Sequence, residues 1–144
     1  LCLLMIDVDL FKSVNDRYGH GGGDVVLKTI ADSLQEQLRR SDDVGRLGGE
    51  EFGVQLPMTD GAAGLAIAER LRRRIAALEF SGAFAGLSVS CSVGVAEFSA
   101  DMSAEGLFAA ADAALYRAKN AGRNRVVAAE HEAPGLPLDD SVPA

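Results

Sequence analysis

The chain has 144 residues, enough for one domain with a substantial core, and its 48% hydrophobic and 24% charged residues are the balance of an ordinary globular protein. No apolar run reaches the length of a membrane span and no basic-plus-apolar leader precedes a cleavage site, which argues against membrane contact by this segment. The net charge of −7 is concentrated at one end: residues 130–144 hold Glu130, Glu132, Asp139 and Asp140 and no Lys or Arg, leaving 17 acids against 14 bases over 1–129, so broad nucleic-acid binding is disfavoured.

The chain opens directly on an apolar run, Leu1–Val8, with no Met and no lead-in, and reads as a segment cut from something longer. That run ends in Asp7-Val8-Asp9, as a central strand does where it meets solvent or ligand. Leu10–Tyr18 is expected to form a short helix broken at Gly19. A turn through Gly19-His20-Gly21-Gly22-Gly23 then leads into a long helix beginning near Asp24, with Val26, Ile30, Leu34 and Leu38 on one stripe. Asp42–Leu47 and Phe52–Leu56 read as a hairpin closed by Gly48-Gly49, a pair that tolerates positive φ and close approach by a ligand.

An amphipathic helix is expected over 60–78, with Ile67, Leu71, Ile75 and Leu78 inward and Arg70, Arg72, Arg73 and Arg74 needing a solvated or anion-facing side. Leu87–Phe98 reads as a strand with Gly94 as a possible bulge. Residues 103–121 form the last helix through Leu107, Phe108, Ala111, Leu115 and Ala118, stopped by Gly122 at C′, and Val126–Ala128 is a short final strand. Cys2 and Cys91 lie inside apolar runs and read as buried thiols of a reducing compartment, not as a disulfide or metal site. Residues 1–129 thus form the domain, and the acidic, Pro-containing 130–144 is expected to be disordered. The order β-α-α-β-β-α-β-α-β describes an α+β, ferredoxin-like arrangement around a five-stranded sheet.

Three carboxylates carry the chemistry: Asp7 at the end of the first strand, and Glu50 and Glu51 after the glycines. Hard oxygen ligands of this kind suit Mg²⁺, which takes one or two carboxylates plus substrate phosphates. Two such ions about 4 Å apart clamp the attacking and leaving oxygens of a phosphoryl transfer. Adjacent strand residues point to opposite faces, so Glu50 and Glu51 have different duties. The bland readings are that Gly-Gly-Glu is a surface turn and that Asp9 caps the following helix, which is the reading favoured for Asp9. Lys12, Lys119 and Arg123 are candidate phosphate contacts; Lys119 and Arg123 are four apart at the end of the last helix, a spacing that suits one shared ligand and equally the helix macrodipole.

The strings Asp7-Val8-Asp9-Leu10-Phe11-Lys12, Asn15-Asp16, Gly19-His20, Gly23-Asp24 and Gly48-Gly49-Glu50-Glu51-Phe52 resemble the GGDEF-domain family, in register from Leu1 to about Ala128. These are the diguanylate cyclases, which condense two GTP into cyclic di-GMP and release two pyrophosphates. The resemblance implies a nucleotidyl-cyclase palm fold with a mainly antiparallel central sheet. It implies that Asp7, the Val8 carbonyl and Glu50 hold Mg²⁺ (two ions per site, Mn²⁺ as a substitute), with Glu50 or Glu51 helping deprotonate the ribose 3′-hydroxyl. Gly48 and Gly49 would let the nucleotide lie over the hairpin. The amides of Leu10 and Phe11, with Lys12, Lys119 and Arg123, would hold the triphosphate, and Lys12 would also stabilise transition-state charge.

Asn15 and Asp24 would read guanine, with His20 lining the same turn. A carboxylate accepts both N1–H and N2–H of guanine, whereas adenine presents an unpaired acceptor; such a mismatch can reject an analogue by about 10⁴-fold. Asp24 is also compatible with a helix N-cap. Arg39-Arg40-Ser41-Asp42 resembles the family's RxxD inhibitory motif, in which Arg39 and Asp42, supported by Arg70, bind product cyclic di-GMP. The implied active species is a homodimer in the cytoplasm, controlled by a sensory or regulatory domain of a parent protein that is itself soluble or membrane-anchored. The family's lead-in helix and turn before the first strand are absent here. A catalytically silent GTP- or cyclic di-GMP-binding module is the alternative function, and a cyclase of adenine-containing dinucleotides a further one.

Overall fold

The computed structural model describes residues 1–130; the expectation of disorder for the acidic tail falls, apart from Glu130, outside the described residues. Strand β1 (Cys2–Val8) is central in a five-stranded sheet of order β2-β3-β1-β4-β5, completed by β2 (Asp43–Gly48), β3 (Glu51–Leu56), β4 (Cys91–Glu97) and β5 (Val126–Ala128). β1 runs antiparallel to both β3 and β4, β2 antiparallel to β3, and only β4–β5 is parallel. β2 therefore runs in the direction of β1 with β3 inserted between them, and the same holds for β3 and β4 around β1. This is the split βαβ construction expected from the element order.

The run Leu1–Val8 shows no polar alternation because both faces of β1 are covered. Cys2, Leu4, Ile6 and Val8 pack with α1 (Phe11–Gln37) and α2 (Gly61–Ala76) through Val26, Ile30, Leu34, Leu71 and Ile75. Met5 faces the other way, against Leu107, Ala111 and Leu115 of α3 (Ala104–Asn120). Both cysteines are buried free thiols, and burial pushes the Cys91 thiol up to about 12. No helix among the described residues is long and apolar enough to cross a membrane.

Four expectations need correction. The helix resumes at once after Gly19, which alone breaks it (φ 74°, ψ 173°), so His20–Gly23 are helical and Asp24 is an interior residue, not an N-cap. The glycines there serve close packing: a Cβ on Gly23 would collide with the Asn15 amide oxygen, and one on Gly22 would meet Tyr18 Cβ at 2.5 Å. The strand β4 begins at Cys91, not Leu87, and Gly94 is no bulge, because pairing with β1 is continuous from Cys2↔Glu97 to Val8↔Cys91. Gly94 is instead where α3 presses on the sheet, since a Cβ would strike the Ala111 carbonyl oxygen and the Leu115 nitrogen.

Phe108 is also not in the core. It is 47% exposed and borders an open groove of about 500 Å³ between α3 and the β2–β3 half of the sheet, with Leu1, Leu47 and Phe98. The arginines of α2, expected to need solvent or an anion, lie as expected: Arg70, Arg73 and Arg74 are exposed, and all four also find partners on the fold. Arg70 donates to the Gln37 carbonyl at 2.8 Å, Arg72 and Arg73 grip Glu69, and Arg74 stands 4.0 Å from Glu36.

Candidate active site

The hairpin turns one residue later than its sequence suggests. Gly48 closes β2 and pairs with Glu51, a bulge lies between Arg46 and Gly48, and Gly49-Glu50 make the turn. Only Gly49 needs the left-handed region, at φ 48°, and its carbonyl accepts Arg46 Nε at 2.8 Å. The bulge turns Leu47 over Gly53, where a Cβ would meet Leu47 Cδ1 at 3.2 Å.

β1 delivers Asp7 to this turn. Asp7 lies opposite Glu51 on β3, so the two side chains share a sheet face, and the Val8 amide donates to the Glu50 carbonyl at 3.1 Å. The Asp7 side chain is 9% exposed. Burial raises the Asp7 pKa, the hydrogen bond and charge of Lys119 pull it down, and Glu50 and Glu51 push it up again. A buried carboxylate whose charge is opposed by two neighbouring acids sits in a site that gains from a cation. The Asp7 carboxylate, the Val8 carbonyl and Glu50 are hard oxygen donors suited to Mg²⁺. Among the described residues no three His, Cys, Asp or Glu side chains converge at metal spacing; the set named here asks for only two.

Lys119 is turned onto Asp7, with Nζ 2.6 Å from Oδ2, and does not stand free beside Arg123. The end of α3 explains its placement. Arg123 N–H donates to Ala118 and Gly122 N–H to the Lys119 carbonyl, the Schellman pattern expected of Gly122 at C′. Arg123 follows in the left-handed region at φ 64° and is exposed.

Directly after Asp7 and Val8 the chain begins α1. Leu10, 65% exposed and left-handed at φ 52°, is its N-cap and supplies no side-chain cap. The first amides of a helix lack intrahelical partners and favour anions. Asp9 does not cap this helix, contrary to the expectation. Its carboxylate instead accepts Ser90 Oγ at 2.7 Å, Ser92 Oγ at 2.6 Å and the Asn124 amide at 3.0 Å. Sequence reasoning missed this role because none of those partners is local.

Lys12 is exposed on the first turn of α1. Across the Gly19 kink, the Asn15 amide oxygen lies against Gly23, next to Asp24, while His20 is exposed just past the break. Asp24 lines an open pocket of about 350 Å³ between α1 and the hairpin, together with Arg46 and Phe52.

A second cluster lies at the other end of α1. Arg39 donates to Asp42 through its amide and guanidinium, at 2.9 to 3.2 Å, and also to the Pro57 carbonyl and Thr59 Oγ1. Burial acts to raise the Asp42 pKa, but the Arg39 hydrogen bonds, with the charges of Arg39 and Arg70, outweigh it and hold the carboxyl below its usual value. Arg39, Asp42 and Arg70 thus share one neighbourhood, and Arg39 is already folded onto Asp42.

The family model for the diguanylate cyclase GGDEF domain matches residues 1–125. The chain belongs to the GGDEF domain family. This GGDEF domain is 48% identical over 126 residues to diguanylate cyclase DgcP of Pseudomonas aeruginosa, covering 88% of the chain and 19% of that protein. It is 46% identical over 127 residues to DgcM of Escherichia coli K12, covering 88% of the chain and 30% of that protein. It therefore spans a third or less of the length of these relatives. Among solved structures it is similar to the GGDEF domain of Caulobacter crescentus DgcB in complex with c-di-GMP: TM-score 0.84, 32% identity, 90% of this chain and 78% of that one. It is also similar to the active GGEEF domain of a diguanylate cyclase from Vibrio cholerae, with TM-score 0.83, 32% identity and coverage of 91% and 83%.

Proposed function

We propose that this GGDEF domain is the catalytic unit of a diguanylate cyclase. The observation that carries the reading is that Asp7 stands opposite Glu51 beside the hairpin turn, within the electrostatic reach of Glu50 and Glu51, where the uncapped N-terminus of α1 also begins. Asp7, the Val8 carbonyl and Glu50 would hold Mg²⁺. When bound, that ion neutralises triphosphate charge and acidifies the attacking hydroxyl.

The remaining work falls to the chain. The Leu10 and Phe11 amides and Lys12 take the phosphates at the α1 N-terminus, and Lys12 offsets charge on the α-phosphate in the transition state. Lys119 leaves Asp7 and, with Arg123, grips the outer phosphates. Gly48 and Gly49 leave room for the nucleotide over the hairpin, and Asn15 and Asp24, with His20 at the rim, read the guanine edge. The 3′-oxygen of one GTP forms a bond to the α-phosphorus of another, the bond to the bridging oxygen breaks, and pyrophosphate leaves. Glu50 or Glu51 receives the hydroxyl proton.

One domain offers one such site, so the second GTP arrives on a second copy facing it antiparallel. At low protein concentration the rate is expected to rise with the square of that concentration; a strictly linear dependence in a GTP-turnover assay would contradict the dimer. Regulation by a neighbouring segment of a longer parent protein fits the chain's small share of its relatives. GTP as substrate and two free thiols fit a cytoplasmic setting.

Product feedback belongs to the same reading. Arg70, next to Asp42, and the half-exposed Arg39 present guanidinium groups suited to guanine edges and phosphates. Arg70→Ala is expected to weaken cyclic di-GMP binding about tenfold in calorimetry, the scale of one charge-assisted contact, without lowering initial GTP turnover. Unchanged binding would remove Arg70 from the site.

A further inference from the structure

The α3 C-terminus is stapled to β1 by two carboxylates of alternate residues. Asp7 holds Lys119 by an ion pair, and Asp9 holds the Asn124 amide. Asp9 is 9% exposed, and its three donors come from the start of β4 and the loop after α3. That loop is conformationally costly: Gly122, Arg123 and Asn124 have φ of 122°, 64° and 46° in succession. Non-glycine residues persist in this region only where their surroundings hold them. Asn124 is held from both sides, since its side-chain oxygen also accepts Arg72 Nη1 at 2.8 Å.

The two staples have different fates. On the proposed function, on which this inference rests, Lys119 must release Asp7 when metal and triphosphate bind. The Asp7 staple is then lost at the moment when Lys119 and Arg123 have to be in place. The Asp9 staple makes no demand on the metal or the nucleotide and survives.

We propose that Asp9 is a positioning residue of the triphosphate site, fixing the left-handed Arg123–Asn124 segment through Ser90, Ser92 and the Asn124 amide. Arg72 braces the same segment from α2. Asp9 acts on the phosphates through Arg123 and Lys119 and leaves the guanine contacts untouched, so its loss should be felt in proportion to the phosphates a ligand carries.

The test is calorimetric titration, in Mg²⁺, of 3′-deoxy-GTP (which lacks the attacking hydroxyl) and of GMP into wild type, Asp9→Ala, Asp9→Asn, Arg123→Ala and the Asp9→Ala/Arg123→Ala double variant. Asp9→Ala is expected to weaken 3′-deoxy-GTP about tenfold and GMP by less than about twofold. In the Arg123→Ala background the further loss should fall well short of the single-variant effect, as for two residues acting through one contact. Asp9→Asn should restore binding to within about threefold, because its oxygen accepts the Asn124 amide and its NH₂ donates to a serine hydroxyl. If Asp9→Ala does not melt cooperatively, Ser92→Ala withdraws one donor from the same carboxylate and should show the same phosphate-selective loss at about threefold. Equal losses for both ligands, or full additivity with Arg123→Ala, would overturn the assignment. An Arg123→Ala variant that binds 3′-deoxy-GTP as tightly as wild type fails the nucleotide reading itself, and the inference with it.

Discussion

Asp7→Asn is expected to lower GTP turnover on the order of a thousandfold, and Glu50→Gln comparably, because each removes a carboxylate that would hold Mg²⁺ at the reacting phosphate. The same substitution should not cost stability. Burial, Glu50 and Glu51 raise the Asp7 pKa, so in the metal-free fold the ionised carboxylate opposes stability at neutral pH; that opposition lifts as pH falls through the raised pKa. Lys119, its side chain 32% exposed, can return to water when its partner is neutral. Asp7→Asn should therefore melt at or above the wild-type temperature without metal. Mg²⁺ should raise the wild-type melting temperature and leave that of the variant unchanged. Thermal melts with and without Mg²⁺, beside a turnover assay, read both effects. A variant that loses activity and stability together would make Asp7 a structural residue.

The largest structural effect is expected at Gly94. Atoms of the α3 backbone occupy the space a Cβ would need, and backbone cannot yield as a flexible side-chain tip does. Gly94→Val should cost about 4 kcal/mol or more, by separating α3 from the sheet. For a domain of this size that is a fall of roughly 10–15 °C in melting temperature. Gly45→Ala is the control: Gly45 lies on the exposed outer strand with nothing within 4 Å of its would-be Cβ, and the change should stay within about 0.5 kcal/mol. Similar losses at the two positions would mean that α3 accommodates a side chain.

Lys119 acts from the C-terminus of the helix whose middle Gly94 meets, and it acts through chemistry. This division shows what can be read from sequence here. The strand and helix periods, the hairpin and the Gly122 stop are local, since each depends on residues within a few positions of one another. They are visible in the chain, whereas the arrival of Asp7 beside the glycine turn depends on β1 pairing with β3. The position of the turn itself was one residue off, because the bulge at Leu47 depends on how β2 pairs with β3.

What could not be read rests on partners far apart in the chain. Asp9 reaches residues 81, 83 and 115 positions away, so its local reading as a cap was the natural one and was wrong. Lys119 meets Asp7 across 112 positions. The run Gly21-Gly22-Gly23 carries the composition of a turn, yet Phe11, Asn15 and Tyr18 close against it and the backbone stays helical. Gly94 looked like a bulge because a strand glycine has two readings, and only the position of α3 decides between them. The functional motif strings were legible for a different reason: they resemble a family whose chemistry is distinctive, and the β1–β3 register sets Asp7 opposite Glu51.

The central claim is tested most directly by incubating the purified chain with GTP and Mg²⁺ at high protein concentration and identifying the products by mass spectrometry. Cyclic di-GMP with two pyrophosphates released per molecule is the predicted result. GTP left intact, or bound and never condensed, would contradict it and leave a nucleotide-binding module in its place.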